Sequence, residues 1–185
     1  MESRKSSSAI LIVGKIFSNA ARDVIEVSTG LGIEISHTVQ RVKNVQITED
    51  IGGFVSFAGD YNGILVMNFQ AEAALEIAQA YLRTMGMPEE EIPTHHHADD
   101  LRSNIGEIVN QIIGKGRQMV QEKFNLVAKS NTPAVVPVTI PIGMMLESSQ
   151  LSNNDCIRIS FSTKSLRRFH MEISMESTEF IRLAD

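Results

Sequence analysis

The chain reads as an α+β domain, with an antiparallel β-sheet, two long helices packed on it, and an amphipathic helix at the N-terminus. Three observations predict this. Apolar residues recur at helical spacing over residues 9–29, 70–85 and 98–124. Residues 156–162 and 168–175 alternate apolar and polar instead, as half-buried strands do. Strands and helices also follow one another without a regular β-α-β repeat, which argues against a parallel sheet. With 185 residues, 43% of them hydrophobic and 21% charged, the chain can bury one sizeable core.

The elements follow in order. Ile10, Val13, Ile16, Phe17, Ala20, Ala21 and Val24 form one stripe, with Lys15, Asn19, Arg22, Asp23 and Glu26 between them, until Gly30 and Gly32 end the helix. Residues 33–42 form a first strand. Residues 54–58 and 63–69 flank Gly59-Asp60-Tyr61-Asn62, a turn-rich set that makes a hairpin. The alanine-rich helix 70–85 closes at Gly86 and Pro88. An acidic connector, Pro88-Glu89-Glu90-Glu91-Ile92-Pro93, leads to His95-His96-His97. The second long helix covers 98–124, with Asp99 and Asp100 placed to complement its N-terminal dipole. Strands at 134–142, 156–162 and 168–175 finish the chain. Pro137 makes the first of these an edge or bulged strand. The organisation is a flexible N-terminus (1–8), a single domain (9–176) and a C-terminal tail (177–185).

Composition excludes several classes of function. A net charge of -5 without a basic run offers nothing to nucleic acid. Cys156 is alone, which rules out an intrachain disulfide and a cysteine-based zinc cluster and fits a reducing cytosol. Arg4 and Lys5 precede the apolar residues 9–13 in the manner of a signal peptide. Lys15 interrupts that run, however, and no stretch approaches the roughly 20 apolar residues a membrane span needs. The expectation is a cytoplasmic protein with no membrane insertion. The glycines match no phosphate-binding loop. His95-His96-His97 lacks the spacing of a metal site, so an exposed connector and no bound metal are expected.

Helix 98–124 is the informative element. Ile105, Ile108, Val109, Ile112, Ile113, Met119 and Val120 share one arc. Ser103, Glu107, Asn110, Gly114, Gln118 and Gln121 occupy the opposite stripe, where Glu107 and Asn110 are neighbours able to act as a pair. Asn and Gly are poor helix formers, glycine costing about 1 kcal/mol against alanine. Gly116 falls on the buried arc and admits a close packing partner. Gly114 lies in the polar stripe, where packing does not account for it and where a missing side chain lets another molecule approach. A solvated face is the commoner meaning of such a stripe.

The spacing is more specific than the stripe. Ser103-x3-Glu107-x2-Asn110-x22-Pro133 resembles the (D/S)-x3-E-x2-N-x22-P signature of the CheC/CheX/FliY phosphatases, and residues 9–176 resemble a CheX-type protein throughout. The resemblance implies dephosphorylation of an aspartyl-phosphate response regulator, a CheY-like receiver. Glu107 would engage the receiver's active-site lysine and Asn110 would position the attacking water. Ser103, Gly114 and Gln118 would belong to the binding face, and Pro133 would be structural. No cofactor of its own is implied, the receiver supplying Mg²⁺, and the family's sheet-to-sheet association implies a homodimer. Family members with two sites repeat the motif on the earlier helix. There Glu76-x2-Gln79 resembles the pair, but position 72 is Glu and Arg102 stands where the proline should be, so one active site is expected. The alternative is a non-catalytic adaptor of the same fold, docking on a receiver or a flagellar-switch component.

Overall fold

The structure is a computed structural model that describes residues 8–95, 99–144 and 154–180. Its α-helices are α1 (Ala9–Thr29), α2 (Ala71–Thr84) and α3 (Asp99–Phe124). Its strands are β1 (Ile33–Arg41), β2 (Val45–Ile47), β3 (Ile51–Gly59), β4 (Gly63–Phe69), β5 (Ala128–Ser130), β6 (Ala134–Pro137), β7 (Ile142–Met144), β8 (Asn154–Thr163) and β9 (Arg168–Glu176). The fold is α+β, as the periodicities predict.

Seven strands form one antiparallel sheet in the order β1-β8-β9-β4-β3-β5, with β6 joining β5 as a partner of β3. All three helices pack on one face. Phe17, Ile25, Leu65, Met67, Ile77, Ile105, Phe169, Met171 and Ile173 meet there in the main core. α1 ends where Gly30 takes φ 73°, a left-handed conformation cheap for glycine, and its N–H reaches Glu26 O at 2.9 Å. Strand β1 lies at the sheet edge. Its register slips between Ile35 and Val39, a bulge of the kind that blunts an edge against unwanted pairing.

The opposite face departs from a simple alternation of buried and solvated residues. In β9 every residue from Phe169 to Met175 is buried, because a two-stranded ribbon, β2 with β7, covers the far side. Two side chains of the sheet fasten β2 to it. Asn68 Oδ1 accepts the Thr48 N–H at 2.9 Å while its Nδ2 donates to Gln46 O at 2.9 Å. Glu172, with no exposed side-chain surface, accepts the Gln46 N–H at 2.6 Å and Arg158 Nε at 2.7 Å. His170 Nε2 sits 3.5 Å from the same carboxylate. Burial alone would push the Glu172 carboxyl up. The adjacent His170, the Gln46 N–H and Arg158 outweigh that and hold it below the ordinary carboxylate range.

The expected strand 134–142 is two strands. β6 stops at Pro137, which lacks an N–H for the ladder and lies on an edge, and β7 begins after Pro141 in the separate ribbon. Beyond β9, inside the segment expected to be a tail, Phe180 packs against Phe124 and Tyr61. Residues 1–7 and 181–185, the ends of the two expected tails, lie outside the described residues. No helix among the described residues is long and apolar enough to cross a membrane.

Replacing Glu172 tests the ribbon clamp. Glu172→Ala leaves the Gln46 N–H and one side of a part-exposed Arg158 without an acceptor. It should cost about 2–3 kcal/mol in urea unfolding. Because the folded-state carboxyl titrates below its unfolded value, its stabilisation is fully present at neutral pH. It disappears as pH falls below the ordinary carboxylate range, so acid unfolding should begin at higher pH in a protein lacking Arg158. An identical acid transition in Arg158→Leu would refute this.

Candidate functional site

α3 separates its two faces cleanly. Ile105, Ile108, Val109, Ile112, Ile113 and Val120 are buried in the core, and Ser103, Glu107, Asn110, Gly114, Gln118 and Gln121 are exposed. Gln111 Nε2 donates to Glu107 Oε1 at 3.1 Å, steadying the carboxylate from the next turn. The Asn110 amide makes no hydrogen bond among the described residues and remains available to water or a ligand.

A second element joins this face. Ser103, Glu107, Asn110 and Pro133 line one shallow depression of about 500 Å³ together with Arg102, Gly106, Thr132 and Val135. The gap of 22 residues between Asn110 and Pro133 has a geometric cause. From Asn110 the helix runs on to Phe124, about 21 Å at 1.5 Å per residue. Asn125, at φ 56°, turns the chain, and β5 runs back. A strand needs about six or seven residues at 3.3 Å each to recover that distance. The chain therefore returns beside Asn110 at the loop 131–133.

Polar contacts hold this loop. Arg117 Nε donates to Ala128 O at 2.7 Å and its NH1 to Ser130 Oγ at 2.9 Å, tying β5 to α3. Asn131 Nδ2 reaches Ser56 Oγ at 2.9 Å and Asn131 N reaches Ser56 O at 3.2 Å, tying the loop to β3. Sequence reasoning singled out Pro133 but not Thr132, Val135, Gly106 or Arg102. The signal for the first two was the same long gap, which brings a whole loop, and not one proline, to the helix.

The glycines of α3 divide by surroundings. A Cβ on Gly116 would lie 2.7 Å from the Phe17 ring, so this glycine is required for α1 and α3 to pack. A Cβ on Gly114 would meet nothing within 4 Å, and one on Gly106 only Val135 at an ordinary 3.5 Å. Packing demands neither, and both leave bare backbone on the face of Glu107 and Asn110.

Other candidates fall elsewhere. Gln118 is one turn beyond Gly114, outside the depression, and donates to Glu122 Oε1 at 2.8 Å. Glu76 Oε2 accepts from Thr163 Oγ1 at 2.7 Å and Gln79 Nε2 donates to Pro93 O at 2.8 Å, so internal contacts occupy the second stripe. Cys156 is buried, its Sγ donating to Ser174 Oγ at 3.3 Å, and burial pushes its thiol pKa up, away from a reactive thiolate. His95 is exposed, while His96 and His97 lie outside the described residues. Among the described residues no group of three or more His, Cys, Asp or Glu is arranged to hold a metal ion.

Comparison with known proteins gives the fold a family. The model of the family described as "Protein of unknown function (DUF3334)" matches residues 6–185. No functionally curated protein matches the chain in sequence. Among solved structures, the chemotaxis protein CheX from Desulfovibrio desulfuricans is similar at TM-score 0.69 and 22% identity, over 89% of this chain and 99% of that one. The CheX of a CheX–CheY–BeF₃–Mg²⁺ complex from Borrelia burgdorferi is similar at TM-score 0.57 and 16% identity, over 88% and 97%. FliY from Thermotoga maritima is similar at 0.61 and 16%, over 94% and 92%. At these identities the likeness establishes a CheX/CheC-type fold.

The glycine contrast is measurable. Gly114→Ala should raise stability by up to about 1 kcal/mol, the helix-propensity difference. Gly116→Ala should lower it by about 1–3 kcal/mol through overpacking against Phe17. Chemical denaturation of both variants checks this, and stabilisation of Gly116→Ala would show that α1 and α3 are not in close contact there.

Proposed function

We propose that this chain, which belongs to the DUF3334 family and is built on a CheX/CheC-type fold, removes the phosphoryl group from an aspartyl-phosphate receiver of the CheY kind. The observation that carries the reading is the convergence of Ser103, Glu107, Asn110 and the distant Pro133 on one exposed depression. A similar fold has been captured with a partner of the proposed kind, in the CheX–CheY–BeF₃–Mg²⁺ complex.

The chemistry asks for positioning more than for covalent participation. In phosphoryl transfer the attacking and leaving oxygens lie roughly in line, and catalysis is mostly alignment and electrostatics. An amide both donates and accepts, so the Asn110 side chain holds a water by its hydrogen and points its lone pair at phosphorus. The water oxygen bonds to phosphorus as the bond to the aspartyl oxygen breaks. The water's proton passes to a phosphoryl oxygen, leaving inorganic phosphate and a free aspartate. Glu107 pairs with the receiver's active-site lysine, aligning the two proteins, and the receiver contributes its Mg²⁺. Ser103 and Pro133 shape the depression, and bare backbone at Gly114 lets the receiver come close.

Two substitutions should fail differently. Asn110→Ala should slow single-turnover loss of phosphate from a phosphorylated receiver by about a hundredfold, the usual effect of losing one transition-state hydrogen-bonding group, with binding nearly unchanged. Glu107→Ala should weaken both binding and rate, because an ion pair across the interface serves both. Full activity in Asn110→Ala would eliminate the proposed water-positioning mechanism. A wild-type chain that binds a phosphorylated receiver without speeding its hydrolysis would establish an adaptor instead.

A further inference from the structure

The receiver-phosphatase reading holds the attacking water by one hydrogen, through Asn110, and leaves its second hydrogen without a holder. A water held at one point turns about that bond, whereas one held by both hydrogens keeps a lone pair in a fixed direction. Few side-chain oxygens of the depression can take the second hydrogen. Glu107 is engaged by the receiver's lysine in that reading. Ser103 stands seven residues before Asn110, about 10 Å along the helix axis, too far to share one water with it. Among the described lining residues that leaves Thr132.

The sheet register aims Thr132 at α3. Ser130 of β5 pairs with Phe57 of β3, and Ala134 of β6 pairs with Phe54. Residues 131–133 therefore lie opposite Val55 and Ser56 alone, one residue more than a regular ladder holds, and such an insertion re-aims side chains. Ser130 points to the helices, where its Oγ accepts from Arg117 NH1 at 2.9 Å. Asn131 points the other way, its Nδ2 donating to Ser56 Oγ. Alternation then returns Thr132 to the helix side. Val135 also points to α3, 3.5 Å from where a Gly106 Cβ would lie, and alternation counted back from it puts Pro133 on that side too. Two consecutive residues thus face α3, and both line the depression. The ring of Pro133 also restricts Thr132 to extended backbone, which fixes where its side chain stands. Neither the N–H nor the hydroxyl of Thr132 is hydrogen-bonded among the described residues.

Resting on the receiver-phosphatase reading, we infer that Thr132 is a second catalytic residue of this site. Its Oγ1 accepts one hydrogen of the attacking water while the side-chain oxygen of Asn110 accepts the other. Held between loop and helix, the water keeps a lone pair aimed at phosphorus. Its oxygen bonds to phosphorus as the bond to the aspartyl oxygen breaks. The proton that Thr132 held passes to a phosphoryl oxygen, and the hydroxyl is left as it began. Thr132 therefore acts on the transition state and adds little to docking.

The test compares wild type with Thr132→Val, which keeps the shape before the proline but loses the hydroxyl, and with Thr132→Ser, which keeps the hydroxyl. Single-turnover phosphate loss from a phosphorylated CheY-type receiver is measured beside binding to the same receiver carrying beryllofluoride and Mg²⁺. Thermal unfolding verifies that each variant folds. Thr132→Val should slow phosphate loss about tenfold, the effect of one lost hydrogen bond. Its affinity for the activated receiver should stay within about twofold, because the contact is made to the water. Thr132→Ser should keep its rate within about threefold of wild type, the hydroxyl being retained. Added to Asn110→Ala, Thr132→Val should cost little more, since both groups act on one water. A Thr132→Val variant at the wild-type rate would overturn the inference and leave the phosphatase reading standing. So would a loss of affinity as large as the loss of rate, which would make Thr132 a docking contact, or equal slowing in Thr132→Ser, which would trace the effect to packing. If wild type speeds hydrolysis of no receiver in a panel, that reading itself fails and the role of Thr132 falls with it.

Discussion

Everything at the site depends on how deeply α3 is seated. The helix is pressed against α1 where Gly116 meets the Phe17 ring, and against β3, where a Cβ on Gly53 would come within 3.0 Å of Val109. Both contacts are possible because a side chain is missing. With the apolar arc held between the first helix and the sheet, the opposite face cannot rotate inward. Glu107 and Asn110 are thus fixed toward solvent by packing on the side remote from them. The Arg117 bonds to β5 extend the same constraint, since they set where the returning chain passes and so where Thr132 and Pro133 stand.

This arrangement separates stability from chemistry. The polar clamp of Asn68, Glu172 and Arg158 and the main core lie on the two faces of the sheet, away from the depression. The depression carries residues poor for a helix and unneeded for packing, Asn110 and Gly106 among them, and Gly114 adds another on the same helix face just beyond it. A protein that tolerates such residues on an exposed helix gives up stability there, and the proposed receiver-facing role would account for the loss. An adaptor surface would need the bare backbone but not an unbonded amide beside a steadied carboxylate. The pair is what the proposed phosphatase role requires beyond docking.

Long elements were legible in the sequence because their periods repeat many times. α1, α3, β8 and β9 each carry several turns or alternations of unbroken pattern. The three-residue strands β2, β5 and β7 offer too few residues for any period to register. The ribbon was also hidden because its fastening links Gln46 to Glu172, 126 residues away, through a side chain that reads as an ordinary strand polar residue. At the site, Glu107, Asn110 and Pro133 were visible through their resemblance to the CheC/CheX/FliY signature, whose long gap corresponds in the structure to a helix running out and a strand running back. Gln118 continues the stripe in sequence, yet the depression ends before it, since the wall opposite is a short loop. Arg102 and Gly106 fall outside the polar stripe and declare themselves only once that loop faces the helix.

The most direct test of the central claim is a side-chain amide spectrum of ¹⁵N-labelled protein titrated with a CheY-type receiver locked by beryllofluoride and Mg²⁺. The Asn110 resonance is identified by its loss in Asn110→Asp. If this face enters the receiver's phosphorylation site, the Asn110 amide should shift with the activated receiver and much less with the inactive one. An unmoved Asn110 signal, with shifts confined to the β2–β7 ribbon or the β1 edge, would contradict the account.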